Sequence, residues 1–136
     1  MALQLHFSKT YNYGSDDSIS LPIVLRVGDS SADLVASVDT GASYCLFDRK
    51  YGEALGLNVE FGALKVFVTA NSRFEAFGHE VTIDALGIET HTTVFFFADP
   101  IIRKNVLGRH GWLDRMKIGI VDYDQMLYLA EYDEVV

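Results

Sequence analysis

Apolar and polar residues alternate along most of this chain, and Gly, Pro, Asn, Asp and Ser interrupt the alternation at short intervals, which is the pattern of strands and turns. Residues 3–7 read as an edge strand. Residues 19–27 read as a second, with Pro22 near its start or at a sheet edge because proline has no N–H for a ladder. A turn at 28–31 leads back through 34–38. Residues 63–69 alternate cleanly, 71–73 read as a turn, and 74–84 return with Gly78 as a bulge, making one long hairpin. A further strand, 88–97, ends in Val94, Phe95, Phe96 and Phe97, an unbroken apolar run expected to be covered on both faces. After a loop at 98–100 comes the apolar pair Val106 and Leu107, stopped by Gly108, and the chain closes with a hairpin of 117–121 and 126–130. Two stretches suit helix. In 47–55 Asp48 would cap, Leu46, Tyr51 and Leu55 would face the core, and Gly56 would stop the helix; in 110–116 Trp112, Leu113 and Met116 fall on one side. The expectation is one all-β domain over residues 1–136 with one or two short helices.

Within this pattern Val35, Ala36, Ser37 and Val38 drive a carboxylate, Asp39, into a turn of small residues, Thr40, Gly41, Ala42 and Ser43. An ionised carboxylate buried without a partner costs on the order of several kcal/mol, so a core strand ending on Asp39 implies that the charge is neutralised, shared or hydrogen-bonded. Thr40 adds a hydroxyl, and Gly41 lets the backbone approach another chain or a ligand closely. The combination suits a catalytic loop; a capped turn at the end of a core strand is the plainer alternative.

Composition narrows the chemistry. Of 136 residues, 11 are Lys or Arg and 19 are Asp or Glu, a formal net charge of −8. The cations are scattered or at most paired, as at Arg103 and Lys104, which argues against a nucleic acid as partner. No apolar run approaches the ~18 residues of a membrane span, and the first residues lack the basic start and continuous apolar core of a secretory signal, so a soluble, cytoplasmic protein without a membrane partner is expected. Cys45, the single cysteine, rules out an internal disulfide and reads as a small buried hydrophobe. His6, His79, His91 and His110 are dispersed, so neither a metal nor a cofactor is expected.

The run Val38, Asp39, Thr40, Gly41, Ala42 and Ser43 ends an apolar strand, Asn105, Val106, Leu107, Gly108 and Arg109 follow downstream, and a long hairpin lies between. Together they resemble the retropepsin-like aspartic proteases, the single-lobe relatives of pepsin that include retroviral proteases and bacterial homologues. The likeness spans about residues 19–129. It implies a closed, barrel-like lobe with a flap hairpin, and an aspartic endopeptidase that assembles as a homodimer, because the family needs two Asp-Thr-Gly loops and this chain has one. Each subunit would give one Asp39 to a dyad on the twofold axis, where two carboxylates about 3 Å apart share a proton and activate a water. Thr40 would brace the two loops across the axis and Gly41 would position substrate backbone.

By the same resemblance an extended peptide or unfolded protein segment would lie against Ala42, Ser43, the flap tip at Ala70, Asn71, Ser72, Arg73 and Phe74, and the loop residues Asp99, Pro100, Ile101 and Ile102, with apolar residues around the cut. Leu107, Gly108 and Arg109 would support the active loop. The chain departs from the retroviral pattern in a flap tip that is not glycine-rich, and in Ser43 and Tyr44 where those enzymes carry acids, so Arg109 is expected to bond to Ser43 or to the loop backbone. The altered tip motivates the alternatives of a silent peptide-binding module or a dimerisation module that keeps the protease fold. The closing hairpin exceeds the single terminal strand of the retroviral enzymes and is expected at the dimer interface.

Overall fold

The computed structural model describes residues 2–135. The strands of its first half are β1 (Lys9–Asn12), β2 (Ser20–Val27), β3 (Ser30–Val38), β4 (Leu46–Phe47) and β5 (Ala63–Val68). They are followed by β6 (Arg73–Ala85), β7 (Ile88–Phe97), β8 (Val106–Leu107), β9 (Met116–Val121) and β10 (Met126–Glu131). One short helix, α1 (Arg49–Ala54), follows β4. The larger, seven-stranded sheet runs β2-β3-β8-β4-β7-β6-β5, and β2 also pairs with β6; a three-stranded sheet runs β1-β10-β9.

Period-two patterning explains the core. In β2 and β3, Leu21, Ile23, Leu25, Ala32, Leu34 and Ala36 point inward, and Val81, Ile83 and Ala85 of β6 meet them in the same cluster. Trp112, Leu127 and Leu129, all fully buried, join the small sheet to that cluster. Each fully buried Leu or Ile contributes roughly 1.5–3 kcal/mol. The β6–β7 hairpin closes through Leu86 and Gly87, both left-handed (φ 53° and 86°), the turn geometry that matches the twist of paired strands.

The all-β class holds, and the large sheet closes on itself without making a clean barrel. The β2–β6 pairing brings the large sheet back to its first strand, yet the β3–β8 link is two residue pairs long, the β4–β8 link is one, and the β1-β10-β9 sheet stands separate. Residues 3–7 are not a strand. The last ladder-like bond on that side runs from Ser8 N–H to Leu129 O (3.2 Å), β10 ends at Glu131, and Leu3 and Leu5 are 88% and 68% exposed. Gly78 is not a bulge: it pairs in unbroken register with Ala63 and Phe95, and its lack of a side chain makes room for the Phe95 ring, which a Cβ would approach to 3.0 Å.

The first expected helix starts later than residue 47, because Leu46 and Phe47 pair with β7. Asp48 caps it by accepting from Lys50 N–H (2.9 Å), and Gly56 ends it at φ 79°. The second shrinks to a single 3-10 turn, Leu113–Arg115. Gly111 is left-handed (φ 106°) and Met116 already begins β9, so no room remains for an α-helical turn, although Trp112 and Met116 still reach the core.

Candidate active site

β3 carries Asp39 to its place and β8 holds it there. Their parallel pairing joins Ser37 to Val106 and Val38 to Leu107, and Asp39 N–H donates to Leu107 O (3.0 Å) just past the strand end. Asn105 straps the same region together: its side chain donates to Val35 O (3.3 Å) and accepts from Asp48 N–H (3.0 Å), so β3 and the α1 cap share one residue. The loop after Asp39 folds on itself, with Ala42 N–H donating to Asp39 O (3.2 Å) and Gly41 N–H to the carboxylate Oδ1 (2.9 Å). That charge-assisted bond fixes the direction of the acid. In the single chain Asp39 is exposed rather than buried, as is Thr40, so the desolvation cost anticipated from the apolar run is not incurred here.

Gly108 sets how closely β8 passes beneath the loop. A Cβ on it would lie 2.3 Å from Tyr44 O and 2.8 Å from Ala42 O, inside any real contact, so this crossing requires glycine. On either side of that crossing Arg109 N–H donates to Ala42 O and His110 N–H to Ser43 O, both at 2.8 Å. Arg109 therefore binds the loop through its main chain, while its side chain is exposed and takes part in no ion pair among the described residues. Cys45 lies beneath, accepting from Gly108 N–H at 3.4 Å; burial pushes its thiol up to about 11, which removes it as a nucleophile.

The β5–β6 hairpin reaches toward Asp39. Its turn spans Thr69 to Ser72, closed by Thr69 N–H to Ser72 O (2.8 Å) and a hydroxyl pair between the same residues (2.8 Å). Ala70 and Asn71 form the apex, and Arg73 and Phe74 already belong to β6. Aromatic rings couple hairpin to loop: Phe67 stacks on Phe74 (5.2 Å between centroids) and meets Tyr44 (5.9 Å) and Phe95 (5.6 Å) edge-on. The Lys65 ammonium sits 4.7 Å over the Tyr44 ring.

Between hairpin and loop lies a cleft of about 640 Å³ lined by Asp39, Ala42, Ser72, Phe74, Ile101 and Ile102, together with Leu46, Thr69, Phe97, Arg103, Lys104 and Val106. The first six were expected from the sequence. The second six were not: Phe97 and Leu46 read as core, Val106 as loop support, Thr69 as the end of a strand, and the cations only as a charge pair. Arg73 and Asp99 open instead into an adjoining cavity of about 450 Å³ that Phe74 and Ile102 share. Thr40, Gly41, Ser43, Ala70, Asn71 and Pro100 are exposed outside the cleft lining, and Leu107 and Gly108 lie buried under the loop. A larger cavity of about 810 Å³, between residues 3–7 and the β9–β10 hairpin, contains none of these groups. Among the described residues no three His, Cys, Asp or Glu side chains are grouped to hold a metal ion.

A family model described as aspartyl protease matches residues 23–110, from β2 through the loop-supporting crossing. The chain belongs to the aspartyl protease family. No curated protein matches it. Among solved structures this aspartyl protease is similar to a retropepsin-like aspartic protease from Rickettsia conorii, at 20% identity and a TM-score of 0.63, over 90% of this chain and 99% of that one. It is also similar to the EIAV protease complexed with the inhibitor HBY-793, at 19% identity and a TM-score of 0.56, over 73% of this chain and 88% of that one. At such identities the likeness establishes the retropepsin fold. Within the matched span fall Asp39, the β5–β6 hairpin and Gly108.

Proposed function

We propose that this aspartyl protease is an endopeptidase that acts as a homodimer, each subunit contributing Asp39 to one carboxylate dyad. The observation that carries the proposal is the state of Asp39: exposed in the single chain, held in direction by the Gly41 amide, and the one carboxylate lining the cleft of about 640 Å³ under the hairpin. An acid so placed can take up or release a proton, but one alone cannot at the same moment deprotonate a water and donate a proton to a carbonyl. A twofold copy of the loop supplies the second acid in an isologous interface. With two carboxylates sharing one proton, the ionised Asp39 draws a proton from the attacking water while the protonated one donates to the scissile carbonyl oxygen; the amine then leaves with a proton from the dyad. Thr40 braces the paired loops. The β5–β6 hairpin serves as the flap, closing over the peptide with backbone hydrogen bonds and excluding water.

The test uses the full chain and a fluorogenic peptide library. Asp39→Asn is expected to lower kcat/KM by about 10²–10⁴, the range for loss of a general acid–base group. Mixing that variant with the unaltered protein should reduce activity below simple dilution, because mixed dimers hold only one usable acid. Cleavage that survives Asp39→Asn, or full specific activity in a strict monomer by light scattering, refutes the proposal; binding without cleavage would instead support the peptide-binding module.

A further inference from the structure

Three cations of this acidic chain are held by acids. Arg26 pairs with Asp84 and Glu89, Arg49 with Glu53 and Glu60, and Arg115 with Asp114. Arg103 and Lys104 are the cations that line the cleft containing Asp39; both are exposed and neither takes part in an ion pair among the described residues. Beside them the wall is apolar, made by Phe97, Ile101, Ile102 and Val106. The acid on their own loop, Asp99, accepts from Ile101 N–H (2.9 Å) and lines the adjoining cavity rather than this cleft.

We propose that Arg103 and Lys104 make the cleft select peptides in which an Asp or Glu flanks the apolar residue seated against Phe97 and Ile101. This rests on the endopeptidase reading and names the substrate class of the same site. The net charge of −8 disfavours acidic peptides at long range, so the selection must come from local fields in the cleft. An apolar side chain fills the wall while the neighbouring carboxylate reaches the two cations, neither of which is within ion-pair distance of an acid among the described residues. In a twofold dimer the arrangement repeats on the other side of the cut, so acids on both flanks act together.

The experiment compares kcat/KM for peptides that share an apolar cut site and differ only in Glu, Gln or Lys at each flanking position. Glu is expected to exceed Gln by about three- to tenfold at one or more positions and Lys to fall below both, with the ratio shrinking as salt rises. In Arg103→Gln/Lys104→Gln the Glu-to-Gln ratio should collapse toward one, and in Arg103→Glu/Lys104→Glu the preference should turn to Lys. A ratio near one at every position in the unaltered protein overturns the inference, whether or not any variant folds; so does a ratio that survives the double Gln substitution. If no peptide is cleaved, the endopeptidase reading fails by itself, and selection is read from fluorescence-anisotropy binding of the same peptides: tighter binding of the Glu series upholds it, equal binding overturns it.

Discussion

Replacing Gly108 with Ala tests how the Asp39 loop is held. The added Cβ would sit 2.3 Å from Tyr44 O and 2.6 Å from Tyr44 C, well inside the 3.4–4 Å of ordinary contact, and both partners are backbone atoms that cannot rotate away. Relief requires β8 and the loop to separate. Overpacking of this kind costs about 1–3 kcal/mol. Separation also lengthens the Arg109 to Ala42 and His110 to Ser43 bonds, each 2.8 Å now and each worth about 0.5–1.5 kcal/mol. The sum is about 2–6 kcal/mol, a large part of the roughly 5–15 kcal/mol that a domain has in total. Urea unfolding should show the midpoint falling with little change in slope, and peptide cleavage should drop further than the folded fraction does, because Asp39 hangs from the same crossing. Gly14→Ala is the control: it stands in open space at φ 76°, so it should cost only the ~1–2 kcal/mol of a left-handed alanine and leave cleavage intact. A Gly108→Ala protein that loses less than about 1 kcal/mol and keeps its kcat/KM refutes the account.

Other outcomes follow from the same geometry. Phe67→Ala removes the ring that stacks on Phe74 and meets Tyr44 and Phe95, and should destabilise by about 1–3 kcal/mol and raise KM more than it lowers kcat, since it loosens the hairpin over the cleft. The Cys45 thiol, pushed from an ordinary 9.0 to about 11 by burial, should react with a thiol reagent at pH 8 at least about a hundredfold more slowly than in urea; equal rates would mean that the loop opens freely. Tyr13 is likewise raised from 10.0 to about 12, chiefly by burial and then by the Asp122 carboxylate that accepts its hydroxyl. The folded state therefore keeps protons that the unfolded chain releases, so stability should fall as pH climbs from about 9 through 12, which denaturant titrations across that range would measure.

The elements legible in the sequence were those with a local cause. Alternation along β2, β3, β5, β6 and β7 marked strands because side-chain direction has period two, and Asp48 and Gly56 marked α1 because capping is decided within a few residues. What failed depended on distant partners. Residues 3–7 alternate as well as any strand, but alternation does not reveal that β10 ends before it can pair with them. Gly78 looked like a bulge because the Phe95 ring it accommodates is remote in sequence. In the site the Asp39 loop and the Gly108 crossing were read from motif, whereas Leu46, Phe97, Arg103 and Lys104 entered the cleft through packing that no local pattern encodes.

The small sheet also dictates an order of events during synthesis. β1, at residues 9–12, has β10 as its strand partner, and β10 is made only at residues 126–131, more than a hundred residues later. Asp39 in turn waits for Leu107 O, nearly seventy residues downstream, before its backbone is anchored. Such long-range closures are slow steps, and a nascent chain still short of β8 and β10 cannot complete them. An acid anchored to residue 107 is unanchored in any shorter nascent chain, so on the dyad reading proposed above the growing polypeptide gains its hydrolytic centre only after β8 has emerged, and unfolded segments made before then, its own included, are spared.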